Sequence, residues 1–164
     1  MNFYALEPVL VNRLKVACPD IYKVEALPDL FALYGNENLF PSKTGAGRSG
    51  AAFVIYWDEA VTEARKDCDR AAQTWLIAVV TKRHDKMLTG ELARKDNGVL
   101  VDQVLQALRG WDYGADLSAA TGQLSNMRRF LKRVTVPVNR HQFPPDVDGV
   151  VTTLLGYEAP NLIV

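Results

Sequence analysis

A chain of 164 residues with 19 basic and 19 acidic side chains is long enough to bury about two thirds of the surface its extended form exposes, so a single domain over 1–164 is expected. The charges cancel, which removes net charge as an argument for nucleic acid or an anionic membrane as the main partner. Cys18 and Cys68 define no disulfide framework and read as free thiols, no charged leader precedes an apolar core, and no run approaches the roughly 18 apolar residues of a spanning helix; a soluble, unexported protein in a reducing compartment is expected.

"ALEPVLVNRLKVACP" places Leu6, Val9, Leu10, Arg13, Leu14 and Ala17 at spacings of three and four, an amphipathic helix with Pro8 in its first turn and Pro19 closing it. "DIYKVEAL" alternates weakly and reads as a short strand before Pro28. A long connection follows to Gly50, with its least patterned part at about 35–50. "AAFVIYW" and "TWLIAVVTK" are the two firmest strands, rich in β-branched and aromatic residues. Phe53, Ile55 and Trp57 share one face of the first, and Trp75, Ile77 and Val79 one face of the second. Their alternate faces are also apolar, as expected of a sheet with helices on one side and a partner subunit or long loop on the other.

The charged "DEAVTEARKDCDRAAQ" between them reads as an extended hairpin connection, a long loop at about 58–72, with a short helix as the alternative. "GVLVDQVLQALRGW" repeats Val101, Val104, Leu105 and Leu108 on a helical face and stops at Gly110, a natural left-handed cap. "NMRRFLKRVTVPV" reads as a strand with basic exposed residues, and "GVVTTLLGYEA" as a last strand after the turn-rich "FPPDVDG". The expected fold class is α+β: a single small domain with a mainly antiparallel sheet of four or five strands flanked by two helices.

The chemical signals are weak. Gly45, Gly47 and Gly50 stand in GxGxxG register, but a dinucleotide fingerprint needs a strand before and a helix after, whereas a loop precedes and a strand follows. A phosphate loop would need Lys and Ser or Thr where Ala51 and Ala52 stand. Asp58, Glu59, Glu63, Asp67 and Asp69 are interleaved with Arg65, Lys66 and Arg70, the pattern of a solvated surface or subunit contact rather than of a hard-cation site. His84 and His141 with the two cysteines lack the close ligand pairs of a zinc site, and a cysteine nucleophile assisted by His84 or His141 stays open as a minor reading, since such partners meet only in the fold. No cofactor is therefore expected. Lys82, Arg83, Arg128, Arg129, Lys132 and Arg133 can form one basic surface, read as a protein contact, a nucleic-acid contact or a solvated edge. Trp57, Trp75 and Trp111 read as core or subunit contacts, with Trp111 folding back on its helix.

The helix start "YALEPVLVNRLK", the glycine-containing connection into "AAFVIYW", the strand "TWLIAVVTK", the helix "DNGVLVDQVLQALRGW" and the closing "VDGVVTTLLGYEA" together resemble the Gp37-like proteins of Mu-like tailed phages and prophages, which are similar to tail terminator, or tail completion, proteins. The resemblance implies a non-enzymatic virion component. It implies a homohexameric ring that caps the tail tube, stops its polymerisation and offers a docking face to the head connector or head completion protein. DNA passes through such a ring without sequence-specific binding, and no membrane is involved. The implied location is the head-proximal end of the tail, and the host cytoplasm during assembly. Under this reading Lys43, Arg48, Glu59, Glu63, Arg65 and Asp67 are protein-contact loop residues, and Arg128, Arg129 and Arg133 are lumen or ring contacts. The rival classes are a head-to-tail joining or tail tube protein, a small metal-dependent enzyme such as a nuclease working through Asp58 and Glu59, and a nucleic-acid-binding module.

Overall fold

Leu6, Val9, Leu10 and Leu14 recur at helical spacing, and all four are buried on one stripe of the first helix, α1 (Leu6–Ala17). The computed structural model describes residues 3–33, 50–64, 66, 69–82, 90–122, 128–136 and 150–163. α1 ends where the amide of Cys18 bonds to the carbonyl of Leu14 at 2.9 Å, just before Pro19. Strand β1 (Lys23–Leu27) and a 3-10 turn (Leu30–Leu33) follow. Then come β2 (Ala51–Ala64), β3 (Asp69–Lys82), α2 (Gly90–Leu108), α3 (Tyr113–Thr121), β4 (Lys132–Val134) and β5 (Val150–Ile163).

The five strands form one mixed sheet in the order β1-β2-β3-β5-β4. β1 lies parallel to β2, and every other pairing is antiparallel. The α+β expectation of a single small domain and a mainly antiparallel sheet therefore holds, with three helices rather than two. The third, α3, is introduced by Asp112, whose side chain accepts the amide of Gly114 at 3.0 Å. α2 begins eight residues ahead of the expected "GVLVDQVLQALRGW" segment and ends as expected, with Gly110 at φ +66°. The basic strand contracts to Lys132–Val134.

The largest departure concerns the charged segment after Trp57. Instead of a long loop at 58–72, β2 runs on to Ala64 and β3 starts at Asp69, so the two strands pair from Ala51↔Val80 out to Ala64↔Asp69. Two register shifts, between Tyr56 and Asp58 and between Val61 and Glu63, leave Trp57 and Thr62 as extra residues. These interruptions blur the period-two pattern, which is why the polar half of the strand reads as a connection. β5 likewise runs past Pro160, because that proline falls at the shift opposite Ala71 and Gln73, where no ladder hydrogen bond is required of it.

The helices cover one face of the sheet, against Ala52, Val54, Trp75, Ile77, Val79, Leu155 and Tyr157. Phe53, Ile55, Leu76, Ala78 and Val80 form a second core on the other face with Leu27, Leu30, Leu33 and Val150. All five of those strand residues are at most 1% exposed. A partner subunit is thus not needed to cover this face, and both apolar faces are satisfied within one chain.

One buried polar side chain ties α2 to the sheet. Asn97 is 2% exposed, and its Nδ2 lies 3.1 Å from the carbonyls of Val79 and Val151 and 3.3 Å from Thr81 Oγ1. Its Oδ1 accepts the hydroxyl of Thr153 at 2.6 Å. The amide thus spans β3 and β5, and an apolar replacement would strip several buried groups of their partner at once. Asn97→Leu is expected to lower stability by about 2–4 kcal/mol, read as a shift of the urea midpoint at unchanged m-value.

Candidate functional site

The outer half of β2 is an edge. β1 pairs only with Ala51–Ile55, so no strand among the described residues lies outside β2 from Tyr56 onward. Every charged residue of this strand is acidic: Asp58, Glu59 and Glu63. Asp58 is exposed and accepts the amide of Glu59 at 2.8 Å. Glu59 is half-buried beside Gln73, with one carboxylate oxygen buried and unbonded among the described residues. Glu63 pairs with Arg70 at 3.7 Å. Trp57 and Val61 lie exposed among them.

Inboard of that edge, Phe3, Tyr4, Tyr56 and Trp75 form a chain of edge-to-face ring contacts with centroids 4.8–5.5 Å apart. Burial pushes the Tyr56 phenol up, and the negative charges of Glu59 and Asp58 push it the same way.

The opposite edge is basic. The segment 128–136 holds Arg128, Arg129, Lys132 and Arg133 and no acidic residue. Arg129 is anchored through its backbone: its amide donates to Asp112 Oδ1 at 2.8 Å, and its carbonyl accepts the amide of Tyr113 at 2.9 Å. Arg133 lies over the Tyr157 ring at 5.0 Å and donates to the carbonyl of Gly156 at 3.4 Å. Burial pushes the Tyr157 phenol up, while Arg133 and Arg109 oppose the shift. Arg128 and Lys132 point into solvent, as does Phe130, 45% exposed.

The structure thus gathers Arg128, Arg129 and Arg133 on one sheet edge and places Glu59 and Glu63 on the other. Glu59 and Glu63 sit on a strand, not in a loop. Lys43, Arg48, Arg65 and Asp67 lie outside the described residues, as do Cys68, His84, His141, Gly45 and Gly47. Sequence reasoning missed Arg13, which donates from Nε to the carbonyl of Ala107 at 2.9 Å and stacks on Trp111 at 5.5 Å. Its place on the buried side of α1, among Leu6, Leu10 and Leu14, was the available signal. Trp111 is buried, donates to Asp116 Oδ2 at 2.8 Å and so belongs to the core.

The weaker chemical candidates acquire structural roles. Gly50, the last glycine of the GxGxxG run, has φ +74°, and a Cβ there would stand 2.7 Å from the carbonyl of Val80 and 2.6 Å from Leu100. It is the close-approach point at which β2 begins, which explains a glycine without any phosphate. No group of three or more metal-ligating side chains occurs among the described residues. Cys18 is buried at the end of α1, and burial pushes its thiol up to about 11, opposed by Arg13. Such a thiol is protonated at neutral pH and is a poor nucleophile.

The described residues form a small α+β domain whose two sheet faces are filled from within and whose β2 and β4 edges carry unlike charge. The model of the phage tail terminator protein family matches residues 1–129, and the chain belongs to that family. Comparison with curated proteins finds no match. The chain is accordingly a structural component of a bacteriophage virion, in the tail, and its family implies assembly with tail and head proteins of the phage. The family is one of structural proteins. No helix among the described residues is long and apolar enough to cross a membrane.

The Cys18 shift has a definite sign. A thiol whose folded pKa lies above its unfolded value stabilises the fold fully below the unfolded pKa, and that contribution is lost as pH rises through the folded one. The window is therefore about pH 9 to 11. Cys18→Ala is expected to lose stability less steeply than the wild type across that window, measured by paired thermal melts.

Proposed function

We propose that the protein terminates the phage tail by geometric capping. Copies close into a ring, most simply a homohexamer, on the last ring of the tail tube. The ring covers the surface on which another tube layer would assemble and presents a different surface to the head connector or head completion protein. DNA traverses its lumen without sequence-specific contacts. Glu59 and Glu63 at one edge, with Arg128, Arg129 and Arg133 at the other, serve as contacts between proteins in this reading.

The observation that carries the proposal is the family membership of residues 1–129. The physical arrangement is consistent with it. A terminator must hold contact surfaces in register on a rigid frame, bind one end of a polymer and not reproduce its growing end. The internally filled sheet supplies such a frame, and its unlike edges suit a heterologous contact that closes by rotation.

Electron microscopy of the purified protein with and without isolated tail tubes, alongside a solution mass, tests the reading. Single-layer rings, or a density added at one tube end only, are expected. Long cylinders formed by the protein alone would make it a tube protein, and an absence of both rings and tube binding would sink the capping role.

A further inference from the structure

We propose that copies of this chain join edge to edge, with the acidic β2 edge of one copy against the basic β4 edge of the next. The inference rests on the ring reading above and names the surfaces that build it.

The registers place the two edges at the same level. Asp58 pairs with Thr74, Thr74 with Glu158, and Glu158 with Lys132, so Asp58 and Lys132 end one transverse row of the sheet and share its face. Three strand spacings separate them, about 14 Å at about 4.8 Å each, too far for a direct contact within one chain. Neither makes an ion pair among the described residues. A neighbour displaced along that row brings its Lys132 opposite Asp58 without any change of level.

Strand direction agrees. β2 is antiparallel to β3, β3 to β5, and β5 to β4, so β4 runs antiparallel to β2. A copy added at the β2 edge therefore meets it with an antiparallel strand, the more favourable sense of pairing. Counting back along the basic segment from Lys132 brings Phe130 to the level of Ala60 and Val61, and Arg128 toward Glu63. Val61 and Phe130 are exposed apolar side chains, 55% and 45% accessible, and by strand alternation they flank this row from opposite faces of the sheet. The register shifts at Trp57 and Thr62 interrupt the β2 ladder, and the backbone of Phe130 is bridged to Asp112. Side chains, more than a continuous ladder, would make this contact, with Trp57 at its margin.

The charged side chains of β2 are all acidic and those of the segment 128–136 all basic, so like edges repel each other. Copies then associate head to tail and not edge to like edge, which is the polarity a ring requires.

The test is a charge exchange across the proposed contact. Wild type, Asp58→Lys, Lys132→Glu and the double variant are compared by sedimentation from about 10 μM to about 1 mM, with far-ultraviolet dichroism as the folding control. Each single reversal is expected to weaken self-association at least about threefold, because it sets two like charges against each other. The double variant is expected to regain association, because the exchanged charges again face each other as an opposite pair. Equal association of all four proteins would overturn the edge contact while leaving ring formation intact. A wild type that stays monomeric throughout would also overturn it, and capping of tubes by that same protein would show that the terminator reading survives alone. Loss of duplex DNA binding in Lys132→Glu at unchanged mass would assign the basic edge to nucleic acid and overturn the contact between copies.

Discussion

Strand β3 is paired along its length with β2 on one side and β5 on the other, and the rest of the molecule depends on that double pairing. Its alternating side chains enter both cores: Trp75, Ile77 and Val79 on the helix face, Leu76, Ala78 and Val80 on the other. A strand apolar on both faces is stable only where both are covered, and here both are covered within one chain. The consequence for function is that the faces are taken up by folding. At the edges of the sheet, by contrast, unpaired backbone and exposed side chains meet solvent.

Protection of those edges and their use in assembly draw on the same residues. Bulges and charge along β2 interrupt the ladder and discourage indiscriminate strand addition, while Asp58 and Glu59 give the edge a sign. The β4 edge is short and carries the opposite sign. A structural protein that must join a defined number of partners and then stop needs contacts that are selective more than strong. Charge placed on a rigid frame meets that need, since it penalises wrong pairings as well as favouring the right one.

Polar groups inside the protein do a different job. Asn97 fixes α2 over β3 and β5, Gln73 holds the N-terminal segment through the carbonyl of Phe3 at 2.9 Å, and Tyr113 ties α3 to β5 through the carbonyl of Pro160 at 3.0 Å. Each is an inward-pointing donor answered by backbone on another element. None belongs to a recognisable motif, because its partner lies far away in the chain. Asn97 reads locally as an ordinary polar residue beside Gly98, and only its burial reveals the role.

By itself the sequence determined α1, the two apolar strand cores around Phe53 and Ile77, the capped end of α2 at Gly110 and the α+β class, since periodicity and capping act within a few residues. It also carried the resemblance to tail terminators, which the family match over residues 1–129 bears out. Only the tertiary structure decided that the charged stretch after Trp57 is strand, because its pairing partner, not its own propensity, holds it extended. α3 was likewise settled in three dimensions: Gly114 weakens its local signal, and the Asp112 cap is reinforced by Arg129 from a distant segment. The separation of Glu59 and Glu63 from Arg128, Arg129 and Arg133 onto opposite edges follows from strand order, which arises from long-range pairing and leaves no periodic trace in the chain.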